Sequence, residues 1–377
     1  MLKYSVGLDV SSKKIDGCFS VIDTMQKVTV KSTIVIANNR NGFKMLENWI
    51  VKQQKETSIP LVICMEATGV YYESCALYLF EKEYKVSVVL PNKAKKYLQA
   101  IGLKSKNDSI DAKGLAQMGA EQALKFWQPL GKYFYELRQY TRQYQNMQEQ
   151  KTVFNNQLHS LKHGMYSNKT IVKQLENCIK LFDKQLDELE KRIHDHIKSN
   201  LEVQQKAINI CKIKGIATLS LATILAETNG FELFESAKQV VSYAGFDVIE
   251  NQSGNRVGRT KISKQGNSRI RRILFMPAFT VVSCKQKPFL DLYNRTFERH
   301  GIKMKSYVAV QKKLLIIIYS LYKNNQEYNP EKYNIQEKEQ GFSSLLAFEK
   351  DIKNSPNQVE AIQGKHPVKD HSTLPLC

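Results

Sequence analysis

The chain of 377 residues is poor in everything that staples, spans or ligates by simple pattern. Its seven cysteines, Cys18, Cys64, Cys75, Cys178, Cys211, Cys284 and Cys377, form no C-x-x-C pair. An odd count without paired spacing excludes a simple zinc ribbon and argues against a disulfide framework. The cysteines read instead as small buried apolar residues. Histidine is equally uninformative: His159 and His163 share a polar helical face, while His194 and His196 point to different faces. No run of about 18 apolar residues could span a bilayer, and MLKYSVGLDV lacks a signal-peptide apolar core, so a cytoplasmic protein is expected.

What the chain does have is positive charge. The formal net charge is +20. After about residue 324 the sequence is polar, holds four prolines and carries −2, which leaves +22 on the preceding part. Charge of that size most often serves a polyanion such as nucleic acid. It is concentrated in SGNRVGRTKISKQGNSRIRR, Ser253 to Arg272, with seven basic residues, three glycines and no acid. A serine hydroxyl beside flexible backbone and arginines suits attack on a phosphodiester, and suits equally well a basic loop that only holds nucleic acid.

Residues 1–125 alternate strands and helices. SVGLDV, DGCFSVID and KVTVKSTIVI read as a three-stranded meander. An amphipathic helix over NGFKMLENWIVKQQ comes next, with Asn41 as N-cap. PLVICMEA is a buried strand, VYYESCALYLFEKE a helix, and VSVVL a strand stopped by Pro91. This order is that of a ribonuclease-H-like sheet. Residues 126–204 contain two long polar helices broken near Gly164 to Asn168, with Leu175, Ile179, Phe182, Leu186, Leu189 and Ile193 spaced as a coiled-coil seam. Residues 205–323 are mostly helical. There, INICKIKGIATLSLATILAET resembles a helix-hairpin-helix element whose glycine lets backbone approach phosphate. Residues 324–377 read as a poorly ordered tail.

Four carboxylates stand out in the first segment. Asp9 lies within the first strand and Glu66 ends an otherwise apolar one, where burial is costly unless the acid is paired or metal-bound. Asp108 and Asp111, at i and i+3, share a helix face. Oxygen donors in this number suit one or two Mg2+ ions, which stabilise attacking and leaving oxygens in phosphoryl transfer. Lys104 and Lys106, just upstream, could track a nucleic-acid backbone. So could Arg256, Arg259, Lys261, Lys264, Asn267, Arg269, Arg271 and Arg272.

GLDVSS, MEATGVYY, K-x-D-S-I-D-A-x-G-L-A and the later YAGFDVIENQSGNRVGRTKISKQGNSRIRRIL together resemble the DEDD transposases of the insertion-sequence family spelled IS-one-ten, with S-G spacing like its IS-eleven-eleven branch. The resemblance spans roughly residues 4 to 320. It implies a RuvC-like N-terminal domain whose Asp9, Glu66, Asp108 and Asp111 bind metal, and a C-terminal transposase domain whose Ser253 forms a covalent serine–DNA intermediate. It also implies donor and target DNA, a noncoding bridge RNA as guide, and dimers joining into tetramers in a nucleoid-associated prokaryotic protein. Phe246-Asp247 departs from the Leu/Val-x-Pro often found after the family's A-G pair. Ser263 is a second candidate nucleophile. Three other readings stay open: a Mg-dependent RuvC-like nuclease using water, a sugar-kinase-like ATPase on the strength of GLDVSSKK, and a nucleic-acid scaffold without activity.

Overall fold

The structure, a computed structural model, describes residues 1–102, 107–253, 256–258 and 260–330, with the backbone alone at 252, 253, 256 and 257. Lys104, Lys106 and Arg259 lie outside the described residues, as does most of the expected tail. The chain divides into two compact units, Met1–Leu130 and a second beginning at Gly131. Among the described residues no helix is long and apolar enough to cross a membrane.

The first unit contains β1 (Lys3–Val10), β2 (Lys14–Ile22), β3 (Val28–Ala37), α1 (Arg40–Gln53), β4 (Leu61–Glu66), α2 (Glu73–Glu81), β5 (Val86–Val89), α3 (Pro91–Ala100) and α4 (Asp108–Glu121). The sheet order is β3-β2-β1-β4-β5. β1, β2 and β3 run antiparallel, while β1, β4 and β5 run parallel. This is the ribonuclease-H-like arrangement expected from the element order. β1 and β4 are almost wholly buried because both of their faces are covered, whereas β3, at the edge, alternates and stays largely exposed. One local expectation needs correction and another is extended. The cap of α1 is Asn39 rather than Asn41, its side chain accepting from the Gly42 amide. Pro91 does stop a strand, but it also opens α3, where its fixed φ and missing N–H suit the first helical turn.

The seat of α4 on the sheet positions the functional residues. A Cβ on Gly7 would lie 2.1 Å from the Ala112 carbonyl oxygen and 2.2 Å from the Ala116 nitrogen, so only glycine lets helix and strand approach this closely. At the far end Lys3 Nζ donates to the Gln122 carbonyl at 3.3 Å. The helix therefore lies along β1 with its first turn over the strand's C-terminal end.

The second unit contains α5 (Lys132–His163), α6 (Lys169–Lys198), α7 (Leu201–Cys211), α8 (Thr218–Thr228), α9 (Ala237–Ala244), β6 (Val248–Ile249), β7 (Gln252–Ser253), β8 (Arg256–Val257), β9 (Lys261–Ile262), α10 (Ser268–Ile273), α11 (Phe275–Ser283), α12 (Lys287–His300) and α13 (Lys303–Asn324). α5 and α6 form the expected hairpin, with Phe154 edge-on to Phe182 at 5.4 Å and Lys162 paired with Glu176 at 2.8 Å. The segment expected at 126–204 is not a separate body from the later helices. Phe134, Leu137, Ile193 and Ile197 share one core with α7, α8 and α13.

Three further expectations change. The turn between α7 and α8 faces the protein, since Gln286 donates to the Lys214 carbonyl at 2.6 Å. Gly215, at φ +113°, has Thr280 of α11 within about 3 Å of where its Cβ would stand, so its absent side chain makes room for a helix rather than a phosphate. The tail does not begin at 324: Tyr328 is buried and stacks near Phe289, and Lys212 pairs with Glu327 at 2.6 Å. The basic stretch, read from sequence as a loop, carries two small ladders, β6 with β9 and β7 with β8.

Candidate active site

In the first unit the acidic residues form a row. Asp9 pairs directly with Asp16 in the antiparallel β1–β2 ladder. The parallel β1–β4 register runs to Leu8 and Met65, which brings the next residues, Asp9 and Glu66, to the same level. Residues paired in a ladder project to the same face. Asp9 also shares the face of Gly7, two residues back, against which α4 lies. Asp108 and Asp111 occupy the first turn of that helix, where a side-chain cap by Asn107 and the favourable dipole suit acids.

The electrostatics of Asp9 follow from this placement. Burial, together with the charges of Asp108, Asp111, Glu66 and Asp16, pushes the Asp9 carboxyl up to about 6. Asp9 thus feels the other three members of the expected set and a fifth acid, Asp16, which is buried and which the motif reading did not include. Lys14 is the counterweight. Its Nζ lies 2.7 Å from Asp108 Oδ2 and 3.1 Å from Asp16 Oδ2. Among the described residues no three His, Cys, Asp or Glu side chains converge tightly enough to hold an ion as they stand. Donor chemistry and charge nevertheless fit a hard divalent cation: the donors are carboxylate oxygens, and Asp9 carries an ionisation cost that such a cation would remove.

The second unit carries the basic stretch. β7 and β8 pair Ser253 with Arg256 across a two-residue connection. Ser263, the other serine candidate, is placed differently. Its Oγ is buried without a hydrogen-bond partner, and its amide donates to the Asp247 carbonyl at 2.7 Å. Lys261 and Lys264 are exposed, as a phosphate-binding role requires. Arg271 and Arg272 are partly committed within the protein. Arg271 Nη1 donates to the Ala244 carbonyl at 2.7 Å, and Arg272 pairs with Glu149. Asn267 corrects the expectation of a nucleic-acid contact, because both ends of its amide are used. Its Oδ1 accepts from the amides of Arg269 and Ile270, capping α10, and its Nδ2 donates to Glu227 Oε2 at 2.7 Å.

Glu227 is the residue that sequence reasoning missed. Its side chain is 1% exposed. Arg142, from α5, grips it in bidentate fashion at 2.7 and 2.9 Å, and Arg269 Nε, buried without a hydrogen-bond partner, stands 4.0 Å away. Tyr243 donates to its backbone carbonyl at 3.0 Å. Burial alone would push this carboxyl up, but Arg142, Asn267 and Arg269 outweigh it and hold Glu227 below the ordinary range. α5, α8, α9 and α10 are thus fastened at one point, at the foot of the basic stretch. One signal in the sequence marks it: TLSLATILAET is an apolar helix ending in a lone acid, the same signature that singles out Glu66.

Residues 6–166 match a DEDD transposase model of the IS110 type, and residues 207–294 match the model described as Transposase IS116/IS110/IS902 family. The pilin gene-inverting protein of Moraxella bovis is 28% identical over 331 residues, 87% of this chain and 98% of its own length. The protein of that name from Moraxella lacunata aligns to the same extent. A probable family 20 transposase of Pseudomonas aeruginosa is 21% identical over 30% of this chain and 32% of its own. Among solved structures, RuvC of T. thermophilus in complex with a Holliday junction substrate gives a TM-score of 0.25 at 12% identity, covering 31% of this chain and 93% of that one. A Ppx/GppA family member of Aquifex aeolicus gives 0.21 at 9% identity, covering 88% and 96%. Both scores are too low to establish a shared fold. Transposase models of the IS110 and IS116/IS110/IS902 type thus match a part of each unit, and the chain is similar over most of its length to the pilin gene-inverting proteins.

Proposed function

We propose that this chain is a transposase that cuts and rejoins DNA strands, with divalent metal held by Asp9, Glu66, Asp108 and Asp111 and with Ser253 as nucleophile. The observation that carries this reading is the acid row, in which charge converges on Asp9 beneath the first turn of α4 in a chain that transposase models match in each unit. Bound ions, Mg2+ in this reading, would supply charge neutralisation at the reacting phosphate. The chain's own residues do the rest. The hydroxyl oxygen of Ser253 bonds to phosphorus as a phosphodiester P–O bond breaks; the serine proton is given up and the departing strand oxygen takes one. Lys261 and Lys264, exposed on the same basic stretch, offset charge on the non-bridging oxygens. Attack by another strand's hydroxyl on the phosphoserine reverses these steps, so rejoining consumes no nucleotide.

Relatives named for inverting a pilin gene support a reaction that rejoins as well as cuts. The burial of Ser263 Oγ favours Ser253 as nucleophile. Guidance by a noncoding RNA, a coiled-coil contact between copies through the α5–α6 hairpin, and assembly of dimers into tetramers complete the proposal. The experiment is to trap a DNA adduct by denaturation during the reaction. Ser253→Ala should remove the adduct entirely, while Ser263→Ala should keep it. Cleavage that persists in Ser253→Ala would instead establish water as nucleophile and a nuclease.

A further inference from the structure

The motifs that identify the acid row leave out the residues that hold it in its present shape. Lys14 and Asp16, two apart on β2, project to one face of the sheet. Asp16 is buried and stands opposite Asp9 in the ladder, whereas Lys14 is exposed along about half of its side chain. The ammonium reaches from one to the other side of the site, contacting Asp16 Oδ2 at 3.1 Å and Asp108 Oδ2 at 2.7 Å. Asp108 therefore rests on a cation supplied by the chain itself.

We infer that Lys14 is a tethered counter-ion that occupies, in the metal-free protein, part of the position a divalent cation takes, and that it yields Asp108 when that cation binds. The inference rests on the reading of Asp9, Glu66, Asp108 and Asp111 as metal-binding residues. An ammonium and a metal ion compete for the same Asp108 oxygen. A lysine is a compact charge on a flexible stem, so it detaches at small cost where it is half exposed. Asp16 keeps the displaced ammonium beside the site. Without Lys14 the five acids would repel one another until an ion arrived; with it, a single charge holds the row together and only a more highly charged cation displaces it.

Thermal unfolding of the full-length chain against MgCl2 and MnCl2, at constant ionic strength, tests this. Lys14→Met should lower the metal-free Tm, enlarge the rise produced by metal, and reduce the half-saturating concentration about two- to fivefold, the scale of an exposed ion pair. Lys14→Arg, which keeps the charge, should behave as the wild type. Should Lys14→Met fail to fold, Lys14→Gln carries the same expectation. A half-saturating concentration equal to or above that of the wild type overturns the inference, making Lys14 a bystander or an aid to Asp108. If the wild type itself shows no metal-dependent rise that Asp9→Asn abolishes, the metal-binding reading fails, and this inference with it.

Discussion

Asp9 and Glu227 are both carboxylates withdrawn from water, and their surroundings solve that problem in opposite ways. Around Asp9, burial and then the charges of four other acids push the carboxyl up to about 6. Around Glu227 the neighbours are arginines and an amide, and the carboxyl is held down although it is the more deeply buried. One site holds more negative charge than its single ammonium, Lys14, balances. The other is complete and serves to fasten four helices. Burial of an acid therefore does not by itself indicate chemistry; the sign of its neighbours does.

The comparison breaks most visibly at Glu227. Glu227→Ala strands Arg142 and the Asn267 amide, and should cost about 2–4 kcal/mol, below the figure for a fully buried pair because Arg142 stays partly exposed. Urea unfolding would measure it, and a loss under about 1 kcal/mol would show that the junction is not a structural fastening. Next in size is Gly7→Ala, which changes no charge. Its Cβ would collide with the backbone of α4, costing about 1–3 kcal/mol and carrying Asp108 and Asp111 out of the row. Stabilisation by Mg2+ should vanish with it; if it survives, the Gly7 contact does not set the helix position.

The smallest effect is the sharpest, because its sign is reversed. The raised Asp9 carboxyl binds its proton more tightly in the folded chain than in the unfolded one. Its contribution to stability is thus complete below the ordinary carboxylate range and lost as pH rises through about 6. Without metal, Asp9→Asn should match the wild type near pH 4 and exceed its Tm by a few degrees at pH 8. Thermal scans in EDTA across that range would refute this if the variant were less stable at the upper end.

How much of the molecule was legible in the sequence depends on the range over which each signal acts. Asp9, Glu66, Asp108 and Asp111 stand in local patterns: an acid closing an apolar strand, two acids one helical turn apart. Asp16 and Lys14 do not, since their importance depends on the β1–β2 register, which sets Asp16 opposite Asp9 and is written nowhere in DGCFSVID. Glu227 was readable by the rule applied to Glu66. Arg142, however, is one cation among many on a polar helix, and only tertiary packing selects it. Asn267 misled because a residue inside a basic run reads as a ligand contact, while the helix after it needed a cap.

α5 extends the Glu227 fastening well beyond the core. It is 32 residues long, about 48 Å at 1.5 Å per residue, and the 21 steps from Arg142 to His163 account for about 32 Å of it. Arg142 and Glu149, which grip Glu227 and Arg272, lie on this same rod. A continuous hydrogen-bonded helix is a lever, and the Arg142–Glu227 pair, anchored by the buried carboxylate, is its fulcrum. Tilting it by about 6° at the pair displaces the hairpin tip by roughly 3 Å, so whatever grips the tip also has mechanical purchase on the anchors of the basic stretch.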